Sequence, residues 1–157
     1  QAVNKEEVDF AELLADTMEK METVTTSHEV TFGRNDPATV SADPVLLRQL
    51  LRIFLENSLK YTPAGGHIHA YSVLSPDGRS VIVTLSDNGI GIAPEHQSRI
   101  FDRFYRVDSS RTKETGGSGL GLSIACWIAE RHDIKIALKS AVDEGTTITL
   151  TIPIIHE

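Results

Sequence analysis

The chain has 157 residues, 40% hydrophobic and 24% charged, enough for one domain with its own core and too apolar for intrinsic disorder; coiled-coil and collagen classes are excluded by composition. No stretch approaches the ~20 apolar residues of a membrane span. Fifteen Lys and Arg against 22 Asp and Glu leave a formal charge of −7, which argues against non-specific binding to nucleic acid or anionic lipid but not against a phosphate ligand, because a phosphate site needs only a few local donors.

The single cysteine, Cys126, allows no intrachain disulfide and fits a reducing compartment. No signal peptide is visible, and the start at Gln1 rather than Met predicts a piece of a longer protein. No internal repeat or composition shift divides the chain, so residues 1–157 read as one domain.

Phe10, Leu13, Leu14, Thr17, Met18 and Met21 share one helical face, and Asp9 with Glu12 three residues on resembles a capping box. His28 to Phe32 reads as a short strand, and Val40 lies in a second extended piece. Asp43-Pro44 is an N-cap followed by proline at the first helical position. The helix that follows carries apolar residues on almost every face through Leu59, which predicts a central, buried element. It ends near Tyr61, because Pro63 and Gly65-Gly66 stop it. Ile68, Ala70, Ser72 and Leu74 alternate with His67, His69, Tyr71 and Val73. The turn Ser75-Pro76-Asp77-Gly78 then leads into a returning strand, Val81 to Leu85.

Residues 105–118 are polar and aperiodic, and loops of that length in a compact domain are functional or disordered. A helix follows with Leu122, Ala125, Cys126 and Ala129 on one side, and then two strands, Ile134 to Leu138 and Thr146 to Ile154, around Asp143-Glu144-Gly145. The order predicts an α+β two-layer sandwich, with about three helices on one face of a mixed, mostly antiparallel sheet.

Three motifs carry chemistry. Asp87-Asn88-Gly89-Ile90-Gly91-Ile92 is turn chemistry anywhere. Here, however, Asp87 ends an apolar strand, where a carboxylate needs a donor, and Gly91 permits close approach of a flat ligand. A carboxylate accepting from an exocyclic amine selects adenine over guanine. Gly116-Gly117-Ser118-Gly119-Leu120-Gly121-Leu122 is either a flexible linker before a helix or a run of N–H groups and a helix N-terminus that hold phosphate. A dinucleotide fold fails on context, because its glycines need a strand immediately before them, and no Gly-x-x-x-x-Gly-Lys-[Ser/Thr] loop exists. In Glu56-Asn57-Ser58-Leu59-Lys60-Tyr61, the residues Asn57, Lys60 and Tyr61 lie at i, i+3 and i+4 on one helical face. They offer an amide oxygen for hydrated Mg²⁺, an ammonium for phosphate and a ring for a base.

Together these residues resemble the catalytic, ATP-binding domain of bacterial sensor histidine kinases, in the wider group (Bergerat fold) with DNA gyrase B, Hsp90 and MutL. Asn57 to Pro63 looks like the N box, Asp87 to Gly91 the G1 box, Phe101-Asp102-Arg103-Phe104-Tyr105-Arg106 the F box, and Gly117 to Leu122 the G2 box. Gly145-Thr146-Thr147 resembles the Gly-Thr that opens the last strand. The resemblance implies that Asn57 ligates Mg²⁺, Lys60 contacts phosphate, Tyr61 and Ile92 flank adenine, and Asp87 accepts from its N6 amine beside Gly89 and Gly91. Gly117, Ser118, Gly119, Leu120, Gly121 and Leu122 would meet the phosphates through their backbone, Arg106 and Arg111 would reach them from the lid at about 105–118, and Thr146 would support Asp87 or a water. Tyr61 as plain core and Arg111 as a solvated charge stay open, and Phe101 and Phe104 read as lid anchors.

One position departs from the pattern. Ile53, four residues before Asn57, stands where the kinases often have asparagine and gyrase-type enzymes a glutamate base; isoleucine neither orients water nor binds metal. Glu56 points about 100° around the helix from Asn57, so no catalytic residue is assigned there. His67 and His69 share a strand face, but no third ligand is apparent and no metal site is expected of them.

None of the six histidines has the setting of a phosphoacceptor. The resemblance therefore implies a kinase domain, monomeric as a fragment, that uses ATP and Mg²⁺ to phosphorylate a histidine on its own dimerisation domain outside this chain. It further implies a cognate response regulator, no nucleic-acid partner, and a cytoplasmic place in a membrane-anchored receptor. A regulatory module that binds ATP without transfer, and an anti-sigma-type serine kinase of the same fold, are the alternatives.

Overall fold

The structure is a computed structural model that describes residues 2–97, 100 and 121–155. The predicted lid, the F box, Arg106, Arg111 and Gly117 to Leu120 lie outside the described residues.

In chain order the elements are β1 (Glu6–Asp9), α1 (Phe10–Val24), β2 (Glu29–Asn35), β3 (Thr39–Ala42), α2 (Pro44–Tyr61), β4 (His67–Leu74), β5 (Ser80–Asp87), α3 (Pro94–Gln97), α4 (Gly121–Arg131), β6 (Lys135–Ala141) and β7 (Gly145–Pro153). Among the described residues β1 pairs with β3, and a five-stranded sheet runs β2-β4-β5-β7-β6. Its pairs are antiparallel except β2 with β4, which is parallel. The sheet is thus mixed and mostly antiparallel, as the sequence predicts. No helix among the described residues is long and apolar enough to cross a membrane.

The layers follow from strand alternation. Ile68, Ala70 and Ser72 of β4, Val81, Val83 and Leu85 of β5, and Ile148, Leu150 and Ile152 of β7 are buried on one face. They form a single core with Phe10, Leu14 and Met18 of α1, Leu47, Leu50, Leu51 and Leu55 of α2, and Ala125 and Ile128 of α4. Each fully buried Leu or Phe in such a core contributes about 1.5–3 kcal/mol through the hydrophobic effect. The other sheet face carries His67, His69 and Tyr71 of β4, Thr84 and Ser86 of β5 and Thr147, Thr149 and Thr151 of β7, in register across the strands. At one edge the pairing of β2 breaks between Phe32 and Asn35, and along the other edge Lys135 and Lys139 of β6 are exposed.

The six predicted α1 positions are all buried, and Asp9 caps the helix by accepting from the Glu12 N–H at 3.1 Å. Three details differ from expectation. α2 is not buried on all sides, because Val45 is 71% exposed and Arg48, Gln49, Arg52, Glu56 and Lys60 face solvent. Leu74 sits at the hairpin end, past the covering helices, and is 40% exposed. β1 and the short α3 have no sequence signal, since each is built from polar residues and held by tertiary pairing.

The start of α2 is tied to two other segments. Asp43 accepts from the N–H groups of Val45, Leu46 and, across the fold, Asn4. Its own N–H donates to Nε2 of buried His132, whose Nδ1 faces the Ile128 carbonyl at 2.7 Å, so the ring carries its proton on Nδ1. The Asn4 N–H above all, then those of Leu46 and Val45, hold the Asp43 carboxyl below its usual 3.8. A carboxyl depressed on folding contributes stability above its unfolded value, and that contribution is lost as pH falls through the folded one. Asp43→Asn is therefore expected to lower the melting temperature at pH 7, with the gap to the parent closing as pH drops below about 4; thermal melts across pH 2–7 measure it.

Candidate nucleotide site

α2 delivers Asn57, Lys60 and Tyr61 at its C-terminal end. The helix stops there because Pro63 pushes Thr62 into extended backbone, with φ −113° and ψ 121°. Asn57 and Tyr61 are half-buried and Lys60 is exposed, which suits an amide and a ring that line a site and an ammonium that reaches over it. Thr62 closes the helix end: its carbonyl accepts from Nε2 of His28 at 2.6 Å, and its side chain is buried.

The strand end of β5 supplies the second wall. One Asp87 oxygen, Oδ1, accepts two main-chain N–H groups, from Gly89 at 2.9 Å and from Thr146 at 3.2 Å. Oδ2 has no donor among the described residues, so it is the oxygen left to face a ligand. Asn88 exchanges two bonds with His67, its N–H donating to the His67 carbonyl and its Oδ1 accepting the His67 N–H at 2.7 Å. The Ile90 N–H donates to the Tyr61 carbonyl at 3.0 Å, which joins the two walls. A side chain at Gly89 would lie 2.4 Å from that same carbonyl and 3.0 Å from Asp87 Oδ1. Gly91 has φ +73°, and its missing Cβ would stand 1.9 Å from the Ala141 carbonyl. Only glycine lets the turn pass this close to β6.

Two residues without a sequence signal hold the turn. Ser140 Oγ accepts the Ile92 N–H at 2.8 Å, contacts Thr146 Oγ1 at 2.8 Å and donates to the Gly145 carbonyl at 2.9 Å. Gln97 on α3 donates to the carbonyls of Ile92 and Ser140. A serine in an otherwise ordinary strand and a glutamine in a four-residue helix read as groups that only meet water until the fold brings them to Ile92. Ser140→Ala strands the Ile92 N–H and the Gly145 carbonyl, and half-buried unmade bonds of this kind cost about 1–3 kcal/mol. The expected results are a lower urea midpoint with an unchanged slope and weaker nucleotide binding by titration calorimetry.

The predicted residues thus separate into two described groups. Asp87, Gly89, Gly91, Ile92 and Thr146 converge with the backbone of Tyr61. Gly121 lies at the α2–α4 contact: the position its Cβ would take is 3.6 Å from Ile53 Cγ2, one turn before Asn57. Leu122 packs partly buried on the core. Glu56 is exposed on the outer side of α2, with its carboxylate 3.5 Å from Arg52, an ion pair of small worth.

Residues 42–156 match the family described as histidine kinase-, DNA gyrase B-, and HSP90-like ATPase. The chain is 38% identical over 149 residues to the sensor histidine kinase WalK of Bacillus subtilis, an alignment covering 93% of this chain and 24% of WalK. It is 43% identical over 106 residues to the histidine protein kinase SaeS of Staphylococcus aureus, covering 68% of this chain and 30% of SaeS. The chain therefore spans 24% to 30% of the length of these relatives. Among solved structures, the mycobacterial sensor histidine kinase MprB superposes with a TM-score of 0.82 at 25% identity, over 98% of this chain and all of that one. Full-length ShkA in complex with AMPPNP superposes with a TM-score of 0.82 at 26% identity, over 100% of this chain and 32% of that one. With the strand order, the Asp87 turn and these likenesses in place, the chain belongs to the family of histidine kinase-, DNA gyrase B- and HSP90-like ATPases, and within it resembles the catalytic domains of sensor histidine kinases.

Proposed function

We propose that this domain binds ATP with Mg²⁺ and delivers the γ-phosphoryl group to a histidine on a separate dimerisation domain of the same protein, which then serves a response regulator. The observation that carries the reading is the Asp87 carboxylate. Oδ1 is held by two main-chain N–H groups, which leaves Oδ2 without a donor among the described residues, and Gly89, whose side chain would have no room, lies beside the carboxylate. An ionised carboxylate only accepts, so it pairs with the N6 amine of adenine and repels the O6 of guanine.

Tyr61 and Ile92 flank the base in this reading, and Thr146, bonded to Ser140, supports Asp87. Lys60, Gly121 and Leu122 lie toward the phosphates, with Arg106, Arg111 and Gly117 to Leu120 assigned there on resemblance alone. Among the described residues no group of three His, Cys, Asp or Glu side chains could hold a metal ion. This suits Mg²⁺, which keeps most of its waters and is carried on phosphates with one or two protein ligands. Here that ligand is the Asn57 amide oxygen. The ion supplies charge neutralisation on the transferring phosphoryl group, and the protein supplies position. Ile53 favours a second reading, ATP binding without transfer, because the residue beside Gly121 is apolar and brings no polar group to the phosphates.

The test pairs two measurements. Titration calorimetry with Mg-ATP and Mg-GTP should show heat for ATP alone, with an affinity between about micromolar and millimolar. Labelled ATP should leave acid-labile, base-stable phosphate on an added acceptor domain and none on this chain by itself. Absence of ATP heat removes the nucleotide reading. ATP heat without transfer to the acceptor establishes the second one.

A further inference from the structure

The helix end that carries the candidate site also carries a polar atom without a partner. Thr62 is 3% exposed, and its hydroxyl oxygen makes no hydrogen bond among the described residues. Buried polar side chains in folded proteins nearly always find a partner, and one that does not costs stability. The main chain leaves Thr62 little freedom to find one. Pro63 holds it in extended backbone, and its carbonyl accepts from Nε2 of His28 at 2.6 Å. The side chain is wedged between two glycines. Its methyl carbon fills the space that a Cβ on Gly66 would need, and its Oγ1 lies 2.7 Å from where a Cβ on Gly89 would stand. That bare face of Gly89 is ringed by oxygens: the Tyr61 carbonyl, Thr62 Oγ1, and Asp87 Oδ1 at 3.0 Å from the same point. Carbonyl and carboxylate oxygens only accept, and both already take main-chain N–H groups, the first from Ile90 and the second from Gly89 and Thr146. The hydroxyl alone of the three has a proton to give, and it gives it to neither.

We infer that Thr62 is a positioning residue for the nucleotide: its hydroxyl, unpaired here, donates to Asp87 Oδ1 when the turn at residues 87–92 settles onto the end of α2 in the bound state. The inference rests on the nucleotide reading above, in which Tyr61 of the helix end and Ile92 of the turn hold one base from two sides. A ligand that touches both walls favours the arrangement in which they stand closest. Gly89 permits that approach, because it presents only hydrogen to the helix end. A third donor on Oδ1 fixes the rotation of the carboxylate and keeps Oδ2 for the amine of the base. A bond made only in the bound state adds to affinity, while the free protein carries the unpaired hydroxyl. Valine would fill the same space without that penalty, so threonine at this position answers to the site rather than to the fold.

The test compares Thr62→Val, which keeps the shape, with Thr62→Ser, which keeps the hydroxyl, in the whole chain. Without nucleotide, Thr62→Val should melt at or above the parent temperature, because it removes an unpaired buried hydroxyl. Calorimetric titration with Mg-ATP should show Thr62→Val binding about three- to tenfold more weakly than the parent, and Thr62→Ser within about twofold of it. In the parent chain the Thr62 hydroxyl proton, followed by NMR, should move downfield as Mg-ATP saturates the site. A lower melting temperature for Thr62→Val would mean a hydroxyl already bonded in the free protein and would overturn the inference. So would parent-like ATP affinity in that variant, equal weakening by serine and valine, or a hydroxyl signal that Mg-ATP leaves in place. The NMR arm needs no variant, so a substitution that fails to fold leaves the answer intact. A parent chain that binds no Mg-ATP removes the nucleotide reading and this role with it, whereas any of the other results in an ATP-binding parent removes the role of Thr62 alone.

Discussion

Asp87→Asn is expected to cost ATP affinity about ten- to a hundredfold while leaving the domain folded. The isostere explains both halves of that expectation. An asparagine oxygen in the place of Oδ1 can still accept the Gly89 and Thr146 N–H groups, so the turn and the β5–β7 junction keep their main-chain bonds. The other atom becomes an NH₂ group and meets the N6 amine of adenine donor to donor. Loss of a charge-assisted bond costs about 1.5–3 kcal/mol, which is the affinity range above. Calorimetric titrations with ATP and GTP, with circular dichroism as the folding control, measure it. Parent-like ATP binding by a folded Asp87→Asn chain would reduce the carboxylate to a turn-former and displace the base pocket. Asn57→Ala should differ in kind, weakening the Mg²⁺-dependent part of binding and leaving the preference for adenine.

A larger loss of stability is expected from Gly145→Ala. Gly145 has φ +97°, and its Cβ would stand 2.0 Å from the Asp87 carbonyl and 2.9 Å from the Asn88 Cα. Both obstacles are main chain, so no rotamer change relieves them. To admit a methyl group, β7 must part from β5 where Asp87 faces Thr146, and the Thr146 N–H then leaves the carboxylate. Backbone strain plus the lost pairing should cost about 3 kcal/mol or more, together with Mg-ATP binding. Gly65→Ala is the matched control: φ is +87°, but nothing lies within 4 Å of the added methyl. It should show only the left-handed penalty of about 1–2 kcal/mol, with ATP binding retained. Urea unfolding of both variants decides the matter; equal midpoints would mean that the contact at Asp87 is not what fixes Gly145.

The parts of this fold that sequence reveals are those decided locally. α1 reads correctly because its apolar spacing and its Asp9 cap act within one turn. The β4–β5 hairpin reads correctly because Ser75 and Asp77 build its turn by themselves, with the Gly78 N–H returning to the Ser75 carbonyl at 2.9 Å. What is illegible is non-local. β1 is Glu-Glu-Val-Asp, three charges around one valine, and becomes a strand only by pairing with β3 more than thirty residues away. The parallel match of β2 to β4 spans all of α2 and leaves no mark in either segment. At the candidate site, Asp87, Gly89 and Gly91 announce themselves because a strand-end carboxylate and paired glycines are costly without a use. Ser140 and Gln97 do not, since a hydroxyl or amide on a half-exposed surface costs nothing until the Ile92 backbone arrives beside it.

The two outer strands of the described sheet decide how this domain can meet others. Any sheet ends in rows of unpaired N–H and C=O groups that invite a foreign strand. Along β6 such a strand would run beside the ammonium groups of Lys135 and Lys139, four residues apart on one exposed face. Along β2 it would lose register at the break between Phe32 and Asn35, where the Arg34–Asp36 ion pair and Pro37 follow. Backbone-to-backbone polymerisation is discouraged on both sides, so the domain is protected from the amyloid-like stacking open to a flat, apolar edge. Recognition by another protein is correspondingly directed to side chains on helices and loops, surfaces that can bind and release without remaking a ladder of hydrogen bonds.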